Sequence, residues 1–193
     1  MQPSTQETSQ TLLGMRYPAA GLKKFLFRLP LGLWRVGLGW LLPRNLLVLT
    51  TSGRKSGEPR HTMVEHWEID GDYYIVSGWG KQAQWLKNLQ ADPIVTVQTV
   101  RHGAVTGKAE RVLEDERLAR FYKHAAGSSP VWKPYLDSLG IDDTLQDVIA
   151  KKERLSLVCI QPVDQIGPAA LPVNRAGVWF LVGLGLLWQL RRG

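Results

Sequence analysis

Between Leu46 and His61 the chain reads LLVLTTSGRKSGEPRH: an apolar, β-prone run, a basic turn bracketed by Gly53 and Gly57, and a second extended run. A strand that returns on itself through a short glycine-bounded loop constrains the chain to antiparallel β architecture at this point. The loop is also suited to holding an anion. Gly53 and Gly57 allow positive φ and could turn backbone N–H groups inward, Arg54, Lys55 and Arg60 bring charge, and Ser56 a hydroxyl. The competing reading is a solvated hairpin tip, since turn glycines beside cations are common. A nucleotide P-loop does not fit, because that motif needs a lysine directly after its last glycine and then a helix, whereas Gly57 is followed by Glu58-Pro59 and a strand-like run.

Beyond this loop the pattern stays mostly extended. Strands are predicted over Leu46–Thr51, Arg60–Ile69, Tyr73–Ser77, Ile94–Val100 and Ala104–Val112, separated by Asp70-Gly71-Asp72, Asp92-Pro93 and His102-Gly103. A final apolar strand over Leu155–Val163 could close the sheet. Between the third and fourth strands, Lys81–Gln90 reads as a helix with Ala83, Leu86 and Leu89 inward, and the barrel is expected to open there. Further helices are predicted over Glu114–Ala126 and Leu145–Lys152. The fold class is therefore mainly β with flanking helices (α+β), an antiparallel barrel, with residues 45–165 as its body.

Read together, LLVLTTSGRKSGEPR, the following YYIVSGWG and QWLKNLQADPIVTVQ resemble the deazaflavin-dependent nitroreductase family, over roughly Leu46 to Val112. That resemblance implies a split β-barrel of the FMN-binding-like type and the reduced deazaflavin coenzyme F-420, whose phosphate and oligoglutamate tail would lie in a basic groove around the GRKSG loop. It implies Arg54, Lys55, Ser56, Gly57 and Arg60 as the tail-binding set. Ser77, Gly78, Trp79, Gly80 and Lys81 would form the loop beside ring and phosphate, and Trp85 matches the tryptophan opening the family's next helix. The loop before Trp85 is shorter than in the best-known members, and Trp79 stands where a basic residue often falls; Lys81 could replace its charge. Core packing is the alternative fate of Trp79 and Trp85.

The implied chemistry needs neither nucleophile nor metal. Hydride transfer requires the cofactor's reactive carbon to be placed against an acceptor with water excluded, so positioning residues carry the function and no catalytic side chain is assigned. The expected acceptor is a small lipophilic electrophile: a quinone, enone or nitro compound. His61, Glu65 and His66 are not a metal set, because in a strand His66 points away from the other two. Ser128, Ser129, His124 and the scattered aspartates show no triad spacing. Trp132, Tyr122 and Tyr135 fall in a region that helps cover substrate in the family, yet helix packing accounts for them. Cys159, the single cysteine, excludes an internal disulfide and sits in an apolar run. An FMN-binding split-barrel oxidoreductase and a nonenzymatic membrane-surface protein are the alternatives.

The formal net charge of +7 over 193 residues points to an anionic partner. Nucleic acid is disfavoured, since no basic aromatic strand signature is present. Residues 1–20 read as a disordered leader without a signal peptide, so a cytoplasmic protein is expected. Residues 21–44 hold Lys23, Lys24, Arg28 and Arg35 with no acid, and at about 100° per residue Lys24, Arg28 and Arg35 share one face while Leu22, Leu26, Leu29, Leu33 and Val36 share another. Pro30 should break or kink this helix. Trp34 and Trp40 flank it, as in a membrane-surface anchor; a helix packed on the protein's own core is the alternative. Residues 166–193 are predicted to hold a linker and an apolar C-terminal helix over Ala176–Leu190. At about 1.5 Å per residue that helix reaches roughly 22 Å, short of the roughly 30 Å hydrocarbon core, which favours peripheral attachment over a span. Covering a barrel face or a homodimer seam is its other reading.

Overall fold

The structure, a computed structural model, describes residues 22–78 and 80–174, with the side chains of residues 22–28 and of Lys81 left aside. Trp79, the N-terminal leader and the apolar segment 176–190 lie outside the described residues.

Six strands form a closed antiparallel barrel: β1 (Leu46–Ser52), β2 (Pro59–Ile69), β3 (Asp72–Val76), β4 (Ile94–Thr99), β5 (Gly103–Arg111) and β6 (Leu157–Pro162), in the order β1-β2-β3-β6-β5-β4. Each strand lies within two residues of its predicted span. Contrary to the expectation from the sequence, the barrel does not open at the helical insertion between β3 and β4 but closes: β4 pairs with β1 while β6 bridges β3 and β5. The register places the C-terminal ends of β1, β3 and β5 and the N-terminal ends of β2, β4 and β6 at one rim: Ser52 pairs with Pro59, Thr51 with Val95, Ile94 with Lys108, Arg111 with Val158 and Val76 with Leu157. Helix α2 (Gln84–Ala91) belongs to that rim. Its Ala83, Leu86 and Leu89 join Leu47, Leu49, Tyr73, Ile75, Val95, Val97, Val158 and Ile160 in the barrel interior.

Two layers cover the outside. Helices α3 (Asp115–Ala125), α4 (Trp132–Ser138) and α5 (Leu145–Ala150) bury Phe121, Trp132 and Leu136 against the outward residues Tyr74, Leu157 and Cys159 of β3 and β6. Phe121 stacks on Tyr74 at 5.5 Å and meets the Trp67 edge at 5.2 Å, geometries aromatic rings favour. Helix α4 carries no strong sequence signal: it is short, and Pro134 is tolerated only because it falls in the first turn.

On the other side, α1 (Leu22–Arg35) runs through Pro30 as a single helix, so of the expected break or kink the break does not occur. One lost N–H donor is offset by helix on both sides and by docking of the last turn, where Trp34 buries against Val48 and Leu171. Of the expected apolar face, Leu29 is 46% and Val36 38% exposed, while Trp34 and Leu31 make contact with the barrel. A strap over residues 163–174 crosses the same side. Thr96 Oγ1 donates to the Pro168 carbonyl at 2.6 Å, the Gln98 side chain pairs with both the N–H and C=O of Leu171, and Asn174 N–H donates to the Arg35 carbonyl at 2.6 Å. The strap therefore ends beside the end of α1.

Candidate functional site

The basic loop closes itself first. Gly53 N–H donates to the Glu58 carbonyl at 2.8 Å, and the amides of Ser56 and Gly57 both donate to the Gly53 carbonyl. Only Gly57 has positive φ, at 70°. Gly53 is closely packed: a Cβ there would stand 3.0 Å from Ser56 Oγ and 3.1 Å from the Glu58 carbonyl oxygen, so a side chain would press on the turn. The expected inward-facing nest of backbone N–H groups is thus absent, since most of those donors are consumed within the turn. Any anion must be held by side chains.

Those side chains divide into two roles. Arg54 turns onto α2, its guanidinium donating to Asn88 Oδ1 at 3.1 Å and to Gln84 Oε1 at 3.0 Å. Asn88, 5% exposed, completes the clamp by donating from Nδ2 to Thr51 Oγ1 at 3.0 Å. Lys55 and Arg60 remain exposed, and Arg60 Nη2 donates to Ser56 Oγ at 3.3 Å. Among the described residues none of Arg54, Lys55 and Arg60 enters an ion pair, and Glu58 is the only acid in the loop. Unpaired cations on one short, rigidly seated loop fit a phosphate or carboxylate tail.

The second predicted group lies at the same rim. Ser77 N–H donates to the Ser156 carbonyl at 3.0 Å, Ser77 Oγ donates to the Gly80 carbonyl at 2.8 Å, and Gly80 N–H returns to the Ser77 carbonyl at 2.9 Å. This turn, with Gly78 in it, leads through Gly80–Gln82, a single 3-10 turn holding the Lys81 backbone, into α2, where Trp85 is half-buried against the interior cluster. The loop residues 54–60 and the segment 77–85 are therefore brought together through α2, and Arg54 is the direct link. Asn88 and Gln84 were missed in the sequence; the available signal was a polar residue, Asn88, one position before the inward Leu89.

A cleft of about 190 Å³ opens on the opposite flank of α2, lined by Leu86, Leu89, Gln90, Ala109, Glu110, Arg111, Ser156 and Val158. Behind it, Tyr135 Oη accepts the Ser156 N–H at 3.0 Å, and burial pushes the Tyr135 phenol up to about 12, so it stays protonated. Tyr122 and Trp132 face Asp143 by hydrogen bonds and serve packing. Glu65 is spent on Asn45 and Ser129, while His66 points elsewhere, to the Asn45 carbonyl. Among the described residues no group of His, Cys, Asp and Glu could hold a metal ion.

A model of the F420H(2)-dependent quinone reductase family matches residues 34–143, which hold β1 to β5, the basic loop and α2. A solved F420-H2 dependent reductase (FDR-A) is 26% identical over 62% of this chain and 95% of its own, with a TM-score of 0.45. A structure described as a domain-swapped dimer is 19% identical over 72% and 96%, TM-score 0.47. General Stress Protein 26 from Bacillus anthracis str. Sterne is 17% identical over 62% and 81%, TM-score 0.41. These structural likenesses are too loose to bear weight; the barrel rests on this chain's own strand pairing. The family match covers more than half of the sequence, and the chain accordingly belongs to the F420H(2)-dependent quinone reductase family, an F420-dependent oxidoreductase whose cofactor is coenzyme F-420.

Proposed function

We propose that this chain reduces a lipophilic quinone-type electrophile, with the cofactor tail held by Lys55, Arg60 and Ser56 and its ring near the Ser77–Gly80 turn and Trp85. The observation that carries the reading is the seating of the basic loop: Arg54 is tied down on Asn88 and Gln84 while Lys55 and Arg60 stay exposed and unpaired by acid. When bound, the coenzyme supplies a hydride; the protein's own residues bind, orient and exclude water. Lys55 and Arg60 supply charge for the tail, and Ser56 Oγ, already accepting from Arg60, keeps that guanidinium over the loop. Ser77 fixes the turn through both its N–H and its hydroxyl. Trp85, at the head of α2, offers a flat apolar edge. Parallel titration of F-420 and FMN, followed by tryptophan fluorescence, tests this. Tight binding of F-420 with none of FMN is expected, and equal binding of both would defeat it.

A cytoplasmic protein peripherally bound to an anionic lipid surface is the second part of the reading. Among the described residues no helix is long and apolar enough to cross a membrane. Leu29, Val36, Trp40 and Leu41 are exposed on α1 and the turn after it, with Arg35 and Arg44 beside them. Val173, also exposed, adjoins Asn174, which bonds to Arg35, so the described chain ends beside the last turn of α1. Apolar side chains among cations suit a lipid interface. Flotation with anionic vesicles should carry the protein up, and Trp40→Ser with Leu41→Ser should reduce that. Self-association through the same patch, read by sedimentation without lipid, would instead make it a homodimer seam.

A further inference from the structure

Helix α2 divides the functional rim into two chemically different flanks. At 100° per residue, Gln84 and Asn88 share the flank that grips the basic loop, while Leu86, Leu89 and Gln90 lie on the other side, facing β5 and β6. Lys55 and Arg60, which have no acid partner among the described residues, stand on the first flank, whereas Arg111, which lines the second, is paired with Glu153 at 3.4 Å. The second has a floor of Leu86, Leu89, Ala109 and Val158, and its wall carries an acid, Glu110. A polyanionic tail is poorly matched to that wall, whereas an uncharged planar ring is well matched to that floor.

Ser156 gives the cleft its direction. It is 3% exposed, its N–H donates to Tyr135 Oη and its carbonyl accepts from Ser77, so both backbone groups are spent within the protein. Ser156 lines the cleft, and its hydroxyl has no hydrogen-bond partner among the described residues. Arg111 holds the approach to Ser156 in place, Nη2 donating to the carbonyls of Glu153 at 2.7 Å and Leu155 at 3.1 Å. The cleft also begins one hydrogen bond from the Ser77–Gly80 turn, at 3.0 Å between Ser77 N and the Ser156 carbonyl.

We propose that the cleft between α2 and β5–β6 is the acceptor subsite and takes a quinone ring, with the Ser156 hydroxyl donating to one quinone carbonyl. This rests on the function proposed above and adds the place where the acceptor binds. A volume of about 190 Å³ is below the roughly 300–1,000 Å³ that drug-sized ligands fill, so it takes a ring head and leaves any isoprenoid tail outside. Uptake of the hydride and of one proton from water turns the quinone into its quinol. The Ser156 hydroxyl stabilises the oxygen that gains charge and is not consumed. Arg111 is a positioning residue, acting through the 153–155 backbone.

The test is calorimetric titration of menadione into the full chain, with and without F-420, for the native sequence and for Ser156→Ala and Gln90→Trp. Removing the hydroxyl should weaken menadione about five- to tenfold, the loss of one hydrogen bond, and the exposed Gln90 position lets an indole block the cleft without disturbing the core. In turnover Ser156→Ala should raise the quinone KM and also lower kcat, because the hydroxyl meets the oxygen that gains charge. Gln90→Trp should raise KM with kcat nearly constant, and the F-420 Kd should stay within about twofold in both. Unchanged menadione binding in both variants overturns the proposal, as does a loss of F-420 affinity matching the loss of menadione, which would put the cofactor ring in the cleft. Should Ser156→Ala fail to fold, Gln90→Trp decides alone. Lys55→Ala tests the cofactor reading separately, because its failure to weaken F-420 would leave the menadione result standing.

Discussion

Asn88→Ala removes the side chain that ties the basic loop both to α2 and to β1. Three contacts go at once: the donation from Nδ2 to the fully buried Thr51 hydroxyl at 3.0 Å, and acceptance at Oδ1 from the Arg54 guanidinium at 3.1 Å and its backbone N–H at 3.4 Å. A neutral buried hydrogen bond contributes about 1 kcal/mol and one to a charged group about 1.5–3 kcal/mol, and the long backbone contact adds little. Arg54 is exposed and recovers solvation once released, which returns part of its share. The net loss is then about 2–3 kcal/mol, or roughly 5–10 °C in Tm for a chain of this size. Because the loop also loses its seat, F-420 affinity should fall, although Asn88 itself need not touch the cofactor. Differential scanning calorimetry and fluorescence titration on the same preparation read both effects. Asn88→Asp provides the control: it keeps an acceptor for Arg54, loses the donation to Thr51 and places a carboxylate against the loop, so it should weaken F-420 while costing less stability. A Tm within about 1 °C of the parent for Asn88→Ala, with unaltered F-420 affinity, would refute the clamp.

Lys55→Ala and Arg60→Ala should each weaken F-420 by roughly 1–3 kcal/mol through lost charge-assisted contacts, with Tm unmoved, and added salt should shrink the difference. Arg54→Ala is expected to behave differently, lowering Tm as well, since its guanidinium is a strut between loop and helix. Gly57→Ala meets open space but must hold φ near 70°, at a cost of about 1–2 kcal/mol, whereas Gly53→Ala strains the turn by contact with Ser56 Oγ and the Glu58 carbonyl. Burial lowers the pKa of His66, and burial with the nearby Arg35 lowers that of His61. The unfolded chain then binds protons first on acidification, so Tm should hold above about pH 6.5 and decline as pH falls below it, more shallowly in a His66→Asn variant. Burial pushes the Cys159 thiol up to about 11, and iodoacetamide at pH 8 should label it only after denaturation.

Alternating and β-branched runs, with turn residues between them, were enough to place every strand, because a pleated strand half buried in a barrel imposes its period directly on the sequence. The inward face of α2 was equally legible in Ala83, Leu86 and Leu89, and the order of motifs from Leu46 to Val112 carried the family. Strand pairing was not: β4 lies against β1 and β6 between β3 and β5 because burial on a closed surface selects partners far apart in sequence. The basic loop shows the division most clearly. Its charges are written in Arg54, Lys55 and Arg60, but which of them is a strut and which are left for a ligand depends on Asn88 and Gln84, thirty or more positions away. Likewise Pro30 weakens a helix locally, yet Trp34 docking on Val48 and Leu171 holds it together. Local chemistry sets what each segment can do; contacts between distant segments select what it does, since only they bury surface and spend hydrogen-bonding groups.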